Sequence, residues 1–319
     1  MPKAIEQVSG LTVGHAGLGL RGGVAGSVRQ QIHDGDTINA RAIGNFGIRF
    51  LGVDAPEISF TLPDESKFTG LSDSRWEAFL SDPFAEHLPT FNPPLTDGLV
   101  NHLKDRIGPG AAMNQDHHAT AAEDALEREV YTDLTALGQS EENFQFFLVF
   151  AHEVMDRYGR LLCFVNRNQP HPTVPDPRPL SYNERLLKSA KVSPYFIWPN
   201  INPFRKQKTK TEAVIPPGAA RDTVNQEETL RLAREWVRNA RQQKVGIFDQ
   251  QNPLRLEPFE LRFLARRTPP DRWVIDLSKN DNVLIKPQEY CTIPNVEDRL
   301  FIPEEYVPLF VERGWQRQA

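Results

Sequence analysis

The chain has 319 residues, a net charge of −5, 39% hydrophobic residues and only two cysteines, Cys163 and Cys291. That length permits one large domain or two small ones with a buried core. Two cysteines exclude a disulfide framework and a thiolate metal site, and no apolar run approaches the ~20 residues that span a bilayer. Residues 1–10 show no apolar segment of the secretory kind, so the expected compartment is the cytoplasm. The charge is unevenly spread. From Glu57 to Glu142, 17 acidic residues stand against 5 lysines and arginines, a balance of −12, and the remainder carries +7. Local positive charge governs phosphate binding more than the net value does.

In chain order, residues 1–26 form an N-terminal arm, Gly-rich over 10–26, that reads as flexible or as an irregular edge, since no strand-then-helix context supports a phosphate loop. Strands are predicted over Ser27–His33, Thr37–Ile43 and Ile48–Val53, with Gly44–Gly47 as a hairpin connection and Pro56 as a stop. Residues 58–118 are broken by prolines into short pieces, with helices predicted over Ser74–Leu80 and Leu95–Ile107. Ala119–Leu137 carries a rough apolar stripe and ends at a capping Gly138. Strands over Phe144–Val154 and Leu161–Asn166 flank the turn Asp156–Arg160. A short helix is predicted over Tyr182–Ser189. A longer one over Asn225–Val245 ends at Gly246, with Arg231, Arg234, Arg238 and Arg241 along one face. Residues 250–319 hold strand-like pieces (Trp273–Leu277, Val283–Pro287) and a helix near Glu304–Arg313.

Three motifs carry the chemistry: Asp34-Gly35-Asp36-Thr37, Arg49 through Asp54-Ala55-Pro56-Glu57, and Asp156-Arg157-Tyr158-Gly159-Arg160. Asp36 and Asp54 offer the hard oxygens that calcium or magnesium takes. Glu57 is placed to accept a proton from an attacking water. Arg49 and Arg160 can each present a planar, permanently charged fork to a phosphate. Arg49 and Asp54 are five residues apart, so strict alternation puts them on opposite faces unless the strand bends at Gly52. A solvated acidic turn, an outer-face arginine and a hairpin cation are the plain alternatives. His117-His118 beside Asp116 reads as a surface patch, because adjacent residues do not share a helix face. The arginine row reads as a solvated helix face before a backbone-tracking one.

In this order, the three motifs resemble the staphylococcal nuclease (thermonuclease) family, and the likeness continues through Leu180–Leu187 and Tyr195 to Asn200. It covers residues 28–57 and 120–249. The resemblance implies an α+β, mainly β domain over 27–249 built on a five-stranded OB-fold barrel, a frequent home of nucleic-acid sites. Residues 58–118 become an acidic helical insertion between strand three and the first family helix, and 250–319 an extension packed on the barrel. It implies a nuclease that hydrolyses single-stranded DNA and RNA with little sequence preference and leaves 3′-phosphate ends. The implied ion is one calcium, with magnesium less able to support activity. Its ligands would be Asp36, Asp54 and the main-chain oxygen of Ala55, with Asp34 supporting from behind. Arg49, Glu57 and Arg160 would be catalytic, and Arg157, Tyr158 and Tyr195 would contact the nucleotide. Two other readings stand beside this one. One is a binding module of the same fold. The other is a nuclease that its acidic insertion restricts to short substrates by repelling long polyanions.

Overall fold

Residues 3–8, 11–34, 37–169, 171–201 and 207–319 are described by the structure, a computed structural model. They mix helices with strands in several small sheets, none of which closes into a barrel among these residues. The chain divides into two compact units, Met1–Arg49 with Glu153–Cys163, and Phe50–His152 with Phe164–Ala319. These boundaries differ from the division at residues 26 and 249 expected from the sequence. No helix among the described residues is long and apolar enough to cross a membrane.

In the first unit the Gly-rich stretch forms paired strands where a loose arm was expected. Ile5–Val8 pairs antiparallel with Leu11–Gly14, and Ala16–Leu18 with Ala40–Ala42. Leu20–Arg21 turns into Val24–Ala25 through Gly22 and Gly23, whose φ values are +61° and +86°. Two successive left-handed residues match the right-handed strand twist, and glycine takes that conformation without strain. The strand expected over Ser27–His33 instead begins as a one-turn helix, Val28–Gln31, and becomes strand only at Ile32–Asp34. The Ser27 N–H donates to Gln30 Oε1 at 3.1 Å, a local capping bond that outweighs the alternating pattern.

The second unit is organised by one mixed sheet, in the order Gly52–Asp54, Ser193–Ile197, Arg299–Ile302, Trp273–Asp276. The expected strand Ile48–Val53 is broken before Gly52, which has a φ of +76°, so the sequence-based expectation of a bend there holds. Alternation along the sheet sends Val53, Phe196, Leu300 and Ile275 into one apolar cluster and Tyr195, Phe301 and Val274 into another. The first cluster is covered by Leu186 and Leu187 of the helix Tyr182–Lys188 and by Leu230, Ala233 and Val237 of the helix Glu228–Gln243. The second is covered by Trp76, Phe79 and Leu80 of the helix Ser74–Ser81, Leu99 and Leu103 of Asp97–Lys104, and Leu261 and Leu264 of Pro258–Arg266. The segments 58–118 and 250–319, which lie outside the resemblance, therefore share one core. Residues 273–276 and 299–302 are strands of the sheet itself.

The long helix runs Ala111–Leu137, beginning eight residues before the expected Ala119, and ends at Gly138 as expected. Polar residues hid its first turns. Gln115 Nε2 donates to the Leu256 carbonyl at 2.6 Å, and His118 Nε2 lies 2.9 Å from the Asn252 carbonyl, so both side chains are buried by partners remote in sequence. Asn183, buried in its helix, donates to the Leu51 carbonyl at 2.9 Å and accepts from the Val165 N–H at 3.0 Å, which fixes the approach to Gly52–Asp54. The arginine row of Glu228–Gln243 keeps Arg231, Arg238 and Arg241 partly exposed, as a solvated face would, while Arg234 turns inward. Arg234 is buried against Asp298 at 2.6 Å, Arg241 reaches Glu297 at 2.6 Å, and Arg231 pairs with Glu235 at 2.8 Å.

Two substitutions test this packing by urea denaturation. Leu264→Ala, at a fully buried position, is expected to cost about 2–5 kcal/mol. Gly246 has a φ of +62°, and an added Cβ would stand 2.2 Å from the Ala190 carbonyl oxygen. Gly246→Ala should therefore destabilise by more than about 1 kcal/mol.

Candidate active site

Asp54 ends its strand in register with Ser193, and Pro56 stops the ladder just beyond it. Its side chain faces the helix Pro258–Arg266 and is 1% exposed. There Arg262 forks onto it, with Nη1 donating to Oδ1 at 3.0 Å and Nη2 to Oδ2 at 2.7 Å. The same Nη1 donates to Glu57 Oε1 at 2.7 Å. Two of the carboxylates picked out in the sequence thus converge on a single guanidinium. Burial opposes the charge on Arg262, but Asp54 and then Glu57 outweigh it and hold its pKa above the usual arginine value. Ala55 is partly buried against the first cluster.

Beside this group Tyr195 is buried, stacked on Phe259 with ring centroids 5.4 Å apart and an interplanar angle of 11°. Burial raises its phenol above the ordinary value, and Arg272 Nη1 donates to its hydroxyl at 2.8 Å. Its ring is committed to the core, which removes it from base stacking. Arg272 also has a buried Nε with no hydrogen-bond partner.

The Asp156–Arg160 turn belongs to the first unit. The Asp156 carboxylate builds it, with Oδ1 accepting from the N–H groups of Tyr158 at 2.9 Å and Arg160 at 3.0 Å. Oδ2 takes the Arg160 guanidinium, from Nε at 2.8 Å and Nη2 at 2.7 Å. Gly159 has a φ of +81°, and a Cβ there would meet Ile5 Cγ2 at 2.8 Å, so the turn requires glycine. Tyr158 is 45% exposed, with the Arg157 and Arg160 guanidinium carbons 4.9 and 5.4 Å from its ring centroid. Arg157 Nη2 also donates to the Tyr158 hydroxyl at 2.8 Å. Arg49, in the strand Ile48–Phe50, is likewise counted in the first unit.

Asp36 lies outside the described residues, as does the side chain of Asp34, whose backbone ends the strand Ile32–Asp34. Among the described residues no three His, Cys, Asp or Glu side chains gather as a metal site. The chemistry of Asp54 and Glu57 still suits a hard cation: two carboxylates share one seat that a positive group fills. The pair His117-His118 is no such site, because His118 is buried on a backbone carbonyl and burial holds its imidazole below the usual value.

Arg262 and Arg272 were not singled out in the sequence. A signal for Arg262 exists in Pro258-Phe259-Glu260-Leu261-Arg262-Phe263-Leu264-Ala265, where a lone cation interrupts side chains that are all buried here. A buried arginine demands a carboxylate partner. Arg272 follows Pro269, Pro270 and Asp271 in a loop and carries no comparable mark. Compared with known proteins, the chain matches no family model, no curated protein and no solved structure.

Proposed function

We propose that the chain is a nuclease that hydrolyses phosphodiester bonds of single-stranded DNA and RNA with little sequence preference. On this reading it belongs with the staphylococcal nuclease type and its OB-fold domain, and leaves 3′-phosphate ends. The observation that carries the reading is the convergence of Asp54 and Glu57 on one positive group, the Arg262 guanidinium, in a chain that also holds the Asp34–Thr37 and Asp156–Arg160 motifs in order.

Glu57, 23% exposed at its side chain, takes a proton from the attacking water or orients it. Arg49 and Arg160 each offer two parallel N–H donors to the oxygens on which charge grows during attack at phosphorus. Asp156 holds the Arg160 guanidinium from its Nε and Nη2 side. Asp36, Asp54 and the Ala55 carbonyl are the proposed calcium ligands, backed by Asp34. A bound calcium ion supplies positive charge to the phosphate. Tyr158, exposed beside Arg157, offers a face for a base, worth ~1–3 kcal/mol where such stacking forms.

The binding-module reading draws support from Arg262, which engages both Asp54 oxygens and Glu57 in the structure. Cleavage of a labelled single-stranded DNA decides between the two. Wild type is expected to cut in calcium and stop in chelator. Glu57→Ala should lose about 10²–10⁴-fold in turnover, and Arg49→Ala or Arg160→Ala about 10²–10³-fold. Wild-type turnover in both arginine variants would sink the assignment. No cleavage by wild type in calcium or magnesium, on long and short substrates alike, would leave the binding module.

A further inference from the structure

We infer that Arg262 is a built-in occupant of the cation seat, so that a divalent cation and this guanidinium compete for Asp54, and Glu57, the proposed base, is freed only when the guanidinium leaves. The inference rests on the proposed role of Asp54 as a metal ligand. Three features carry it.

First, the occupation is complete on the side of Asp54. Each carboxylate oxygen takes its own N–H of the fork, and one of those nitrogens also binds Glu57. A divalent ion needs six to eight oxygen ligands at close range, and a guanidinium at 2.7–3.0 Å from the same oxygens leaves no room for it. The two cations also repel one another.

Second, the helix that carries Arg262 is held in place. Pro258 opens it, and Phe259, Leu261, Phe263 and Leu264 are buried around the arginine. Glu260, fully buried, accepts from the Tyr290 hydroxyl at 2.6 Å and lies 2.8 Å from His102 Nε2. The backbone is thus anchored, and exchange would be a movement of the side chain alone.

Third, solvent reaches the side chain. Arg262 is 15% exposed and Glu57 23%, while Asp54 is 1% exposed. Arg262 and Glu57 thus meet solvent where Asp54 does not. An arginine cannot release its seat by losing a proton. Entry of an ion thus depends on ion concentration and on the competing hold of the fork, and the fork weakens the apparent calcium affinity.

Calorimetric titration of calcium into the full chain, without nucleic acid, tests this. Arg262→Gln is expected to bind calcium at least tenfold more tightly than wild type, with its melting temperature rising further in calcium. Adding Asp54→Asn should abolish that gain. Arg262→Lys, which keeps the charge but loses the two-pronged geometry, should fall between. If Arg262→Gln folds only when calcium is present, the ion is replacing the guanidinium and the inference stands. If it folds in neither condition, Arg262→Lys decides, and an affinity equal to or below that of wild type overturns the inference. The same result in a folded Arg262→Gln, or no calcium binding by any form, overturns it too, and Arg262 is then a brace. Cleavage assays remain separate. Tight binding by Arg262→Gln without cleavage by any form would count against the nuclease alone, and wild-type cleavage with no change in calcium affinity against the competition alone.

Discussion

Side-chain alternation along the central strands of the second unit sends apolar groups to both faces of one sheet, and both faces must be kept from water. Tyr195 and Phe301 go one way and Phe196 and Leu300 the other. A sheet with two apolar faces needs two covering layers. One layer is the pair of helices Tyr182–Lys188 and Glu228–Gln243. The other is made jointly by the segments 58–118 and 250–319. Much of what looks like an insertion and an appendage in the linear sequence is thus the second half of a core. Asp54, next in line after Val53, points into that second layer, which explains how an arginine more than two hundred residues away reaches it.

Buried charge is the recurrent device of this unit. Glu260 meets His102 and Tyr290, and burial alone would raise its carboxyl pKa, yet the hydrogen bonds it accepts hold it below the usual value. Glu257 pairs with Arg299, and Asp133 accepts from Arg167, Arg185 and the Tyr182 hydroxyl. Such pairs gain little over apolar side chains of similar size, but losing one partner is costly. Each therefore fixes which elements sit against one another.

Much of the local structure is legible in the sequence because its causes are local. Gly138 marks the end of the long helix. Asp156 through Arg160 encodes a turn whose hydrogen bonds lie within five residues. Gly52 marks the break in its strand. What was not legible depends on distant partners. The first turns of the long helix look polar until the Asn252 and Leu256 carbonyls arrive. The Gly-rich residues near 22 look loose until the ladder closes. Of the candidate site, the sequence pointed to Asp54, Glu57 and the Arg160 turn by motif. It gave no warning that Arg262 lies between the two carboxylates or that the ring of Tyr195 is spent on Phe259.

The order of strands in the sheet has a consequence for how the protein is made. Arg299–Ile302 lies between Ser193–Ile197 and Trp273–Asp276, so an interior strand is also the last of the four to be synthesised. During translation the earlier strands wait without their neighbour, with apolar residues on both faces and an unpaired edge. Such pairing across long separations is slow to form and exposed to aggregation meanwhile. The nascent chain therefore keeps these apolar faces uncovered until residue 302 has left the ribosome, and a premature stop before residue 299 removes the middle of the sheet rather than trimming its margin.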